Sequence, residues 1–152
     1  MGVQIGRKGS NITIHGVGKH GLKSSSEPFD LGNSGTSIRL MSGLLSAQSF
    51  NSQLCGDESL SKRPMARVIE PLSMMGALID SYESKPPLSI TGSQKLSAIN
   101  YTLPVASAQI KSCLLLAGLY AEGETCIVEN STTRDHTERM LRGFGYPVKT
   151  SN

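Results

Sequence analysis

The chain opens with two short stretches in which apolar and polar residues alternate. Residues 3–5 (VQI) and 12–14 (ITI) have this period of two, and residues 7–11 between them are rich in turn formers. The pattern predicts a β-hairpin. Residues 16–28 are rich in Gly, Ser and Lys and predict a loop, after which residues 29–31 lead into a glycine turn.

Apolar residues at helical spacing predict four helices. The first follows the glycine turn over residues 36–47, and the second covers residues 65–75 and ends at Gly76. Pro71 inside the second should kink it or split off its last turn. The third helix opens at residues 106–109 and is apolar nearly all round, which is typical of a buried helix. The fourth covers residues 135–145, with Met140, Leu141 and Phe144 predicted to face inward.

The remaining segments predict short strands and one polar loop. Strands are expected at residues 50–55, 77–79, 88–90, 96–103, 125–128 and 147–149, with a turn at Pro86-Pro87 before the third. Residues 58–64 predict a polar loop that ends at Pro64, in the first turn of the second helix.

The order of these elements indicates an internal repeat. Residues 56–64 and 128–136 each run from a strand end through acidic and hydroxyl residues to an arginine at a helix start, Arg63 or Arg134. The pattern LxxMG at residues 72–76 matches LxxFG at residues 141–145. A period of about 70 residues exceeds that of solenoid repeats, so we interpret it as a duplicated βαβαββ unit.

Composition narrows the function without fixing it. The 152 residues are 38% hydrophobic, with no Trp and a net charge of +3. This mild basicity fits a pocket for anionic metabolites, and no Lys/Arg run interleaved with aromatic residues indicates nucleic-acid binding. No apolar stretch is long enough for a membrane span and no signal peptide is recognisable, so we expect a cytoplasmic protein that does not bind membranes.

The three cysteines carry no metal-site pattern. Cys55, Cys113 and Cys126 form no CxxC and have no histidine at metal-ligand spacing, so no metal is expected. Cys113 and Cys126 lie in apolar runs and are predicted to be small core residues. An odd number of unpaired thiols favours a reducing compartment.

The glycine turn is the first feature that indicates a binding site. Asn33 or Ser34 can cap the helix that follows, and Thr36 and Ser37 add hydroxyl groups beside the free amides of its first turn. Such a helix start suits a phosphate or carboxylate, although an ordinary capped helix has the same pattern. The repeat places a second polar start at residues 107–109, so two anion-binding starts and two arginines are available.

Four motifs in this order resemble the 5-enolpyruvylshikimate-3-phosphate (EPSP) synthase family, in its class II branch. They are LGNSGTSIR at 31–39, GDESLSKRPM at 56–65, PVASAQIKS at 104–112 and TRDHTERML at 133–141. The resemblance implies transfer of the enolpyruvyl group of phosphoenolpyruvate to the 5-hydroxyl of shikimate 3-phosphate, with release of phosphate and without metal or organic cofactor. It also implies an α/β (α+β) fold of repeated βαβαββ units in an inside-out, barrel-like domain, with buried helices and outward sheets, and a monomeric full-length enzyme.

The resemblance also assigns domain boundaries. The chain is expected to be part of the family's N-terminal domain. Residues 1–30 would be the tail of a preceding unit, residues 31–92 unit one, and residues 93–152 the start of unit two.

The resemblance implies two sets of binding residues. Those expected to bind phosphoenolpyruvate are Gly35, Asn33, Thr36, Arg63 and Gln109, and those expected to bind shikimate 3-phosphate are Ser107, Ala108, Gln109, Arg134 and Thr133. Lys62 and Lys111 are expected to add positive field without touching substrate. No catalytic acid/base pair is predicted, because the family's second domain and its N-terminal Lys-Ser segment have no match here. We therefore expect the 152 residues alone to be inactive. Weak binding of shikimate 3-phosphate by them is a separate hypothesis, which rests on Ser107, Gln109 and Arg134 lying together.

Two alternatives remain open at this point. The related UDP-N-acetylglucosamine enolpyruvyl transferases share the fold and the donor, but they carry a reactive cysteine in the loop that corresponds to residues 58–63, where this chain has none. A non-catalytic anion-binding or interaction module would also fit the absence of an acid/base pair.

Overall fold

The computed structural model describes residues 1–151, which form helices packed against small sheets. The strands are β1 Gln4–Lys8, β2 Asn11–His15, β3 Phe29–Asp30, β4 Ser52–Cys55, β5 Leu78–Tyr82, β6 Lys85–Thr91, β7 Asn100–Thr102 and β8 Cys126–Val128. The helices are α1 Gly35–Leu45, α2 Glu58–Ser61, α3 Ala66–Met74, α4 Ala108–Gly118 and α5 His136–Gly143. No helix in these 151 residues is long and apolar enough to cross a membrane.

The strands form three separate sheets. β1 and β2 make the predicted antiparallel hairpin, β7 pairs with β8 in parallel, and the largest sheet has the order β3-β4-β6-β5. None of these sheets closes into a barrel within residues 1–151. The mixture of helices and strands agrees with the predicted class.

The hairpin β5–β6 turns earlier than the sequence predicts. Glu83 and Ser84 have φ values of 48° and 53°, as the primed turns of tight hairpins require. The two prolines at 86 and 87 therefore lie inside β6, and the predicted proline turn is wrong. They are tolerated there because pairing with β4 begins only at Leu88 and the register with β5 is irregular beyond Asp80.

The core lies between the helices and the largest sheet. Its fully buried members include Ile38, Leu45, Leu54, Val68, Leu72, Leu88, Cys113 and Leu114. Helix α1 packs along α4, and α3 covers both. The prediction that the third helix is buried is confirmed, since even the polar residues Lys111 and Ser112 of α4 are buried.

Both repeated helices end in the same way. At the end of α3, the Gly76 N–H donates to Ser73 O and the Ala77 N–H to Leu72 O, with φ of +100° at Gly76. At the end of α5, Gly145 has φ of +81°, and its neighbour Tyr146 donates to Leu141 O at 2.9 Å. These are Schellman motifs, which glycine favours because it adopts positive φ without strain.

Several local predictions are wrong. α3 runs through Pro71 as one helix, so its last turn is not split off, and Pro71 is buried. Residues 58–61 form the short helix α2 where a loop was expected, and within residues 1–151 no strand forms at 147–149. Strand β7 is shorter than the predicted 96–103.

The predicted inward faces are also partly wrong. Of the three residues predicted to face inward from the fourth helix, only Leu141 is buried, whereas Met140 and Phe144 are 44% and 84% exposed. Cys126 is exposed and not in the core, although Cys113 is buried as expected. The pattern identified these residues as apolar, but it could not show which of them another element covers.

Candidate anion-binding site

Helix α1 begins at a serine-capped glycine turn. Ser34 Oγ accepts a hydrogen bond from the Ser37 N–H at 3.1 Å, so Ser34 is the cap. Gly35 is the first helical residue and is buried, whereas Thr36 is exposed. The first N–H groups of a helix have no acceptor within it and carry the positive end of its dipole. This start can therefore receive an anion.

Helix α4 begins in the same way, at Ser107. Its Oγ accepts from the Ile110 N–H at 3.4 Å, and its carbonyl accepts from the Lys111 N–H at 3.0 Å. Ala108 and Gln109 form the first turn. Each unit of the predicted repeat thus contributes one capped helix start.

The two helices lie side by side and parallel, so both starts are at the same end. Gln109 joins them, because its Nε2 donates to Thr36 Oγ1 at 2.8 Å while its Oε1 accepts from Arg39 Nη1 at 3.1 Å. Two turns further on, a Cβ placed on Gly43 would lie only 2.1 Å from the carbonyl oxygen of Cys113. The backbones touch at this glycine, and the positive ends of two helix dipoles meet beside Gln109.

Arginines surround the buried glycine at this end. Arg39 Nη1 donates to Gly35 O at 2.9 Å, and a Cβ on Gly35 would lie 2.7 Å from Arg63 Nη1 and 2.8 Å from Arg39 Nη1. Burial, and after it the charges of Arg63 and Arg67, lowers the pKa of Arg39. Within residues 1–151 none of these three arginines forms an ion pair. Positive charge is therefore concentrated here without a carboxylate partner.

Asn33 holds Arg63 in place. Its Oδ1 accepts from Arg63 Nη2 at 2.5 Å, and its Nδ2 donates to Asp57 Oδ2 at 3.0 Å. Asp57 is itself fixed, since it caps α2 by accepting from the Leu60 N–H at 2.8 Å. The amide of Asn33 thus separates the arginine from the aspartate, and the charge of Arg63 is not neutralised by a direct contact with Asp57.

The second arginine segment is connected to α4 through a buried lysine. Lys111 Nζ lies 2.9 Å from Glu129 Oε1, and Glu129 accepts from the hydroxyl of Thr133 at 2.7 Å and from its N–H at 3.3 Å. Arg134 follows Thr133 and is exposed. The hydroxyl of Thr133 is therefore directed at Glu129, and the guanidinium of Arg134 remains accessible.

The structure brings most of the sequence-predicted residues together. One connected set of contacts joins Asn33, Gly35, Thr36, Arg63 and Gln109. Ser107 and Ala108 adjoin this set on α4, and Thr133 reaches α4 through Glu129 and Lys111. No hydrogen bond or ion pair fixes Arg134 to this set within residues 1–151. Its binding role stays a prediction, as do the individual roles of the others.

The sequence reasoning missed Arg39. It lies one helical turn after Gly35, so its spacing already indicated that the two share a face of α1. The expectation for Lys111 is also corrected, because two glutamates neutralise its charge and it adds no free positive field. Among residues 1–151, no three His, Cys, Asp or Glu side chains are grouped to hold a metal ion.

Comparison with known proteins identifies the family. The family model described as EPSP synthase (3-phosphoshikimate 1-carboxyvinyltransferase) matches residues 1–152. The 3-phosphoshikimate 1-carboxyvinyltransferase of Ruthia magnifica subsp. Calyptogena magnifica is 67% identical over 97% of this chain, and that of Hydrogenovibrio crunogenus is 62% identical over 99%. The structure of EPSP synthase from Acinetobacter baumannii superimposes with a TM-score of 0.96 at 60% identity over 99% of the chain.

The chain spans only 34–35% of the length of these relatives. Their names favour a 3-phosphoshikimate transferase over the UDP-N-acetylglucosamine alternative, and the high TM-score confirms the predicted fold class. The four motifs, the two joined helix starts and these matches agree, and the chain belongs to the EPSP synthase (3-phosphoshikimate 1-carboxyvinyltransferase) family.

Proposed function

We propose that this chain forms one substrate-binding wall of an enzyme that transfers the enolpyruvyl group of phosphoenolpyruvate to shikimate 3-phosphate. The observation that carries the proposal is the bridge between two parallel helix starts, Thr36–Gln109–Arg39, with Arg63 lying against Gly35. Each start contributes roughly half a positive elementary charge from its dipole. Two adjacent anions are the ligands that such a surface suits best.

The charges of the two substrates match this surface. Phosphoenolpyruvate and shikimate 3-phosphate each carry a phosphate and a carboxylate. Arginine binds such groups with two parallel hydrogen bonds, and helix starts bind phosphate through backbone N–H groups. A pair of anions held side by side would otherwise repel each other, so the unpaired arginines and dipoles would stabilise both together.

We assign the donor to the α1 side. Gly35 allows a ligand to approach the backbone closely, Thr36 offers a hydroxyl, and Arg63 supplies charge in the position that Asn33 fixes. Arg39 is added to this set, since its guanidinium adjoins that of Arg63 at Gly35. These groups would also stabilise the negative charge that develops on the phosphate as it leaves.

We assign the acceptor to the α4 side. Ser107 and the backbone at Ala108 would bind shikimate 3-phosphate, with Arg134 and Thr133 on the neighbouring loop. Gln109 lies between the two helices and would contact both substrates. Such contacts would bring the acceptor hydroxyl near the donor and lower the entropic cost of the reaction.

We expect the 152 residues to bind without turnover. The side chains nearest Gly35 are those of Arg63 and Arg39, and a guanidinium is a poor acid or base for exchanging a proton with the enolpyruvyl carbon. The acid and base would come from parts of the relatives' length that this chain does not span. We propose a cytoplasmic monomer for the whole protein; the three cysteines within these 152 residues are free thiols, which suits a reducing compartment.

The test is a titration of the 15N-labelled chain with each substrate, followed by amide chemical shifts. Phosphoenolpyruvate should shift the amides at residues 35–36, and shikimate 3-phosphate those at 107–109 and 134. Arg63→Met should weaken phosphoenolpyruvate binding about tenfold or more, because a charge-assisted hydrogen bond contributes about 1.5–3 kcal/mol.

Lys62→Met is the matched control. Lys62 is the neighbouring cation, but its side chain is 73% exposed and pairs with Glu58. We expect it to change the affinity by less than twofold. Equal effects of the two substitutions, or no shifts at millimolar substrate, would reject the proposed function; turnover by the chain alone would refute the expectation that it is inactive.

A further inference from the structure

A buried ionic cluster connects α4 with the segment that carries Thr133 and Arg134. Lys111 Nζ lies 2.9 Å from Glu129 Oε1 and 2.8 Å from Glu138 Oε1. The side chains of Lys111 and Glu138 are only 8% and 7% exposed, and that of Glu129 is 20% exposed. Charges are rarely buried to this extent unless they are paired, because their desolvation is costly.

Glu129 forms hydrogen bonds with Thr133, four residues further along the same segment. Its Oε1 accepts from Lys111 and from the Thr133 N–H, and its Oε2 accepts from the Thr133 hydroxyl at 2.7 Å. Burial alone would raise the pKa of Glu129, but the hydrogen bonds from Thr133 and Lys111 bring this pKa below its usual value. The carboxylate is therefore ionised at neutral pH and fixes the backbone next to Arg134.

Glu138 fixes the other end of the segment. It lies in the first turn of α5, two residues after that helix begins, and Lys111 holds its Oε1. The neighbouring Thr137 hydroxyl donates to Ser112 Oγ at 2.7 Å, which adds a second buried bond between α5 and α4. Both ends of the 129–138 segment are thus tied to the first half of α4, one turn from the Ser107 cap.

The buried cluster contains two carboxylates and one ammonium group, so the position of the 129–138 segment depends on Lys111. Two carboxylates share one ammonium group, and within residues 1–151 Glu138 Oε2 is buried without a hydrogen-bond partner. Without the lysine, two glutamates would remain close together in a poorly solvated position. Their repulsion and need for water would push the segment away from α4.

We propose that Lys111 is a positioning residue for the phosphorylated acceptor: with Glu129 and Glu138, it holds the Thr133–Arg134 segment against the start of α4. The two contact segments expected for shikimate 3-phosphate then form one site. This inference rests on the proposed function for the identity of the ligand. Within residues 1–151 no hydrogen bond or ion pair joins the cluster to Arg63, which Asn33 holds on the donor side.

Hydrogen–deuterium exchange on the whole 152-residue chain tests the positioning without any substrate. Lys111→Met should speed exchange at residues 129–135 at least tenfold, while residues 35–45 of α1 stay as they are. Lys62→Met, which removes an exposed lysine, should change neither segment. Glu129→Gln serves as a second variant, because it removes the carboxylate charge that holds Lys111 and Thr133 while Lys111 stays paired with Glu138. It should act in the same direction on residues 130–135.

Titration of the same variants with shikimate 3-phosphate and with phosphoenolpyruvate tests the consequence. We expect Lys111→Met to weaken shikimate 3-phosphate at least tenfold and phosphoenolpyruvate less than twofold. The double variant Lys111→Met/Glu138→Gln should recover part of the loss, since it removes one of the two repelling charges.

The outcomes separate the two proposals. Faster exchange at 129–135 in a chain that binds no shikimate 3-phosphate would keep the positioning role and reject the proposed function. Unchanged exchange in both Lys111→Met and Glu129→Gln would overturn the positioning role, whatever the substrate affinity. An equal loss of affinity for both substrates would also overturn it, because a general loss of structure does not distinguish acceptor from donor.

Discussion

The contact between α1 and α4 at Gly43 gives the sharpest test of how this fold builds its site. We consider Gly43→Ala, which adds one methyl group. The new Cβ would lie 2.1 Å from the carbonyl oxygen of Cys113, 2.8 Å from its carbonyl carbon and 3.1 Å from its Sγ. The oxygen belongs to the backbone of α4, so no side-chain rotation can relieve the clash.

The helices would have to separate by about 1 Å to restore a van der Waals distance. A shift of that size would stretch the bridge from Gln109 to Thr36, now 2.8 Å, beyond hydrogen-bond length. Overpacking costs about 1–3 kcal/mol and occasionally more, and a rigid backbone neighbour argues for the upper end. Alanine regains about 1 kcal/mol in helix propensity. The expected net loss in the free energy of unfolding is about 2 kcal/mol.

Urea unfolding followed by circular dichroism measures this loss, and the phosphoenolpyruvate titration measures the effect on the site. Gly143→Ala is the matched control: Gly143 is also helical, in α5, but a Cβ there meets nothing within 4 Å. This control should gain up to about 1 kcal/mol from propensity alone. A Gly43→Ala variant that is as stable as Gly143→Ala, or that binds phosphoenolpyruvate normally, would refute the view that this backbone contact sets the spacing of the two helix starts.

Three further outcomes are expected. Gly35→Ala should weaken phosphoenolpyruvate binding at least fivefold with little change in the free energy of unfolding, because the new Cβ would displace the flexible guanidinium of Arg63 and not the backbone. Unchanged affinity in the same titration would contradict this prediction. Burial raises the pKa of Cys113 to about 12, so at pH 8 iodoacetamide should modify the exposed Cys126 and leave Cys113 unmodified in the folded chain, as mass spectrometry would show; equal labelling would contradict the burial. The pKa of Glu129 is lower in the folded chain than the ordinary 4.5, so the unfolded chain binds more protons there, and the stabilisation is present above that value and lost as the pH falls through the folded pKa. Urea midpoints between pH 6 and 3 should therefore fall less steeply for Glu129→Gln than for the unsubstituted chain, and parallel curves would show that Glu129 does not contribute.

The sequence by itself determined many of the local elements, and it predicted that the ligands would be anions. Short-range patterns identify the serine caps, the glycine that ends α3 and the alternation in β1 and β2. Caps, turns and periodicity depend on residues within a few positions of each other, so they can be recognised in the sequence. The four motifs indicated the family because they combine several such local features in one order. These features also placed a helix start at Gly35 and a second at Ser107.

Only the tertiary structure decided which of these features meet. The sequence does not show that Gln109 lies against Thr36, 73 positions away, or that Arg39 joins Arg63 at Gly35. It also does not show that Lys111 is neutralised by two glutamates.

The same limit explains the wrong predictions for Cys126 and Phe144, which are apolar but exposed. Whether an apolar residue is buried depends on which element packs over it, and that depends on contacts between distant parts of the chain. A close backbone approach such as the one at Gly43 decides how near two helices can come. The sequence therefore predicted two capped helix starts, and packing at Gly43 decided that they lie together at one end of the helix pair.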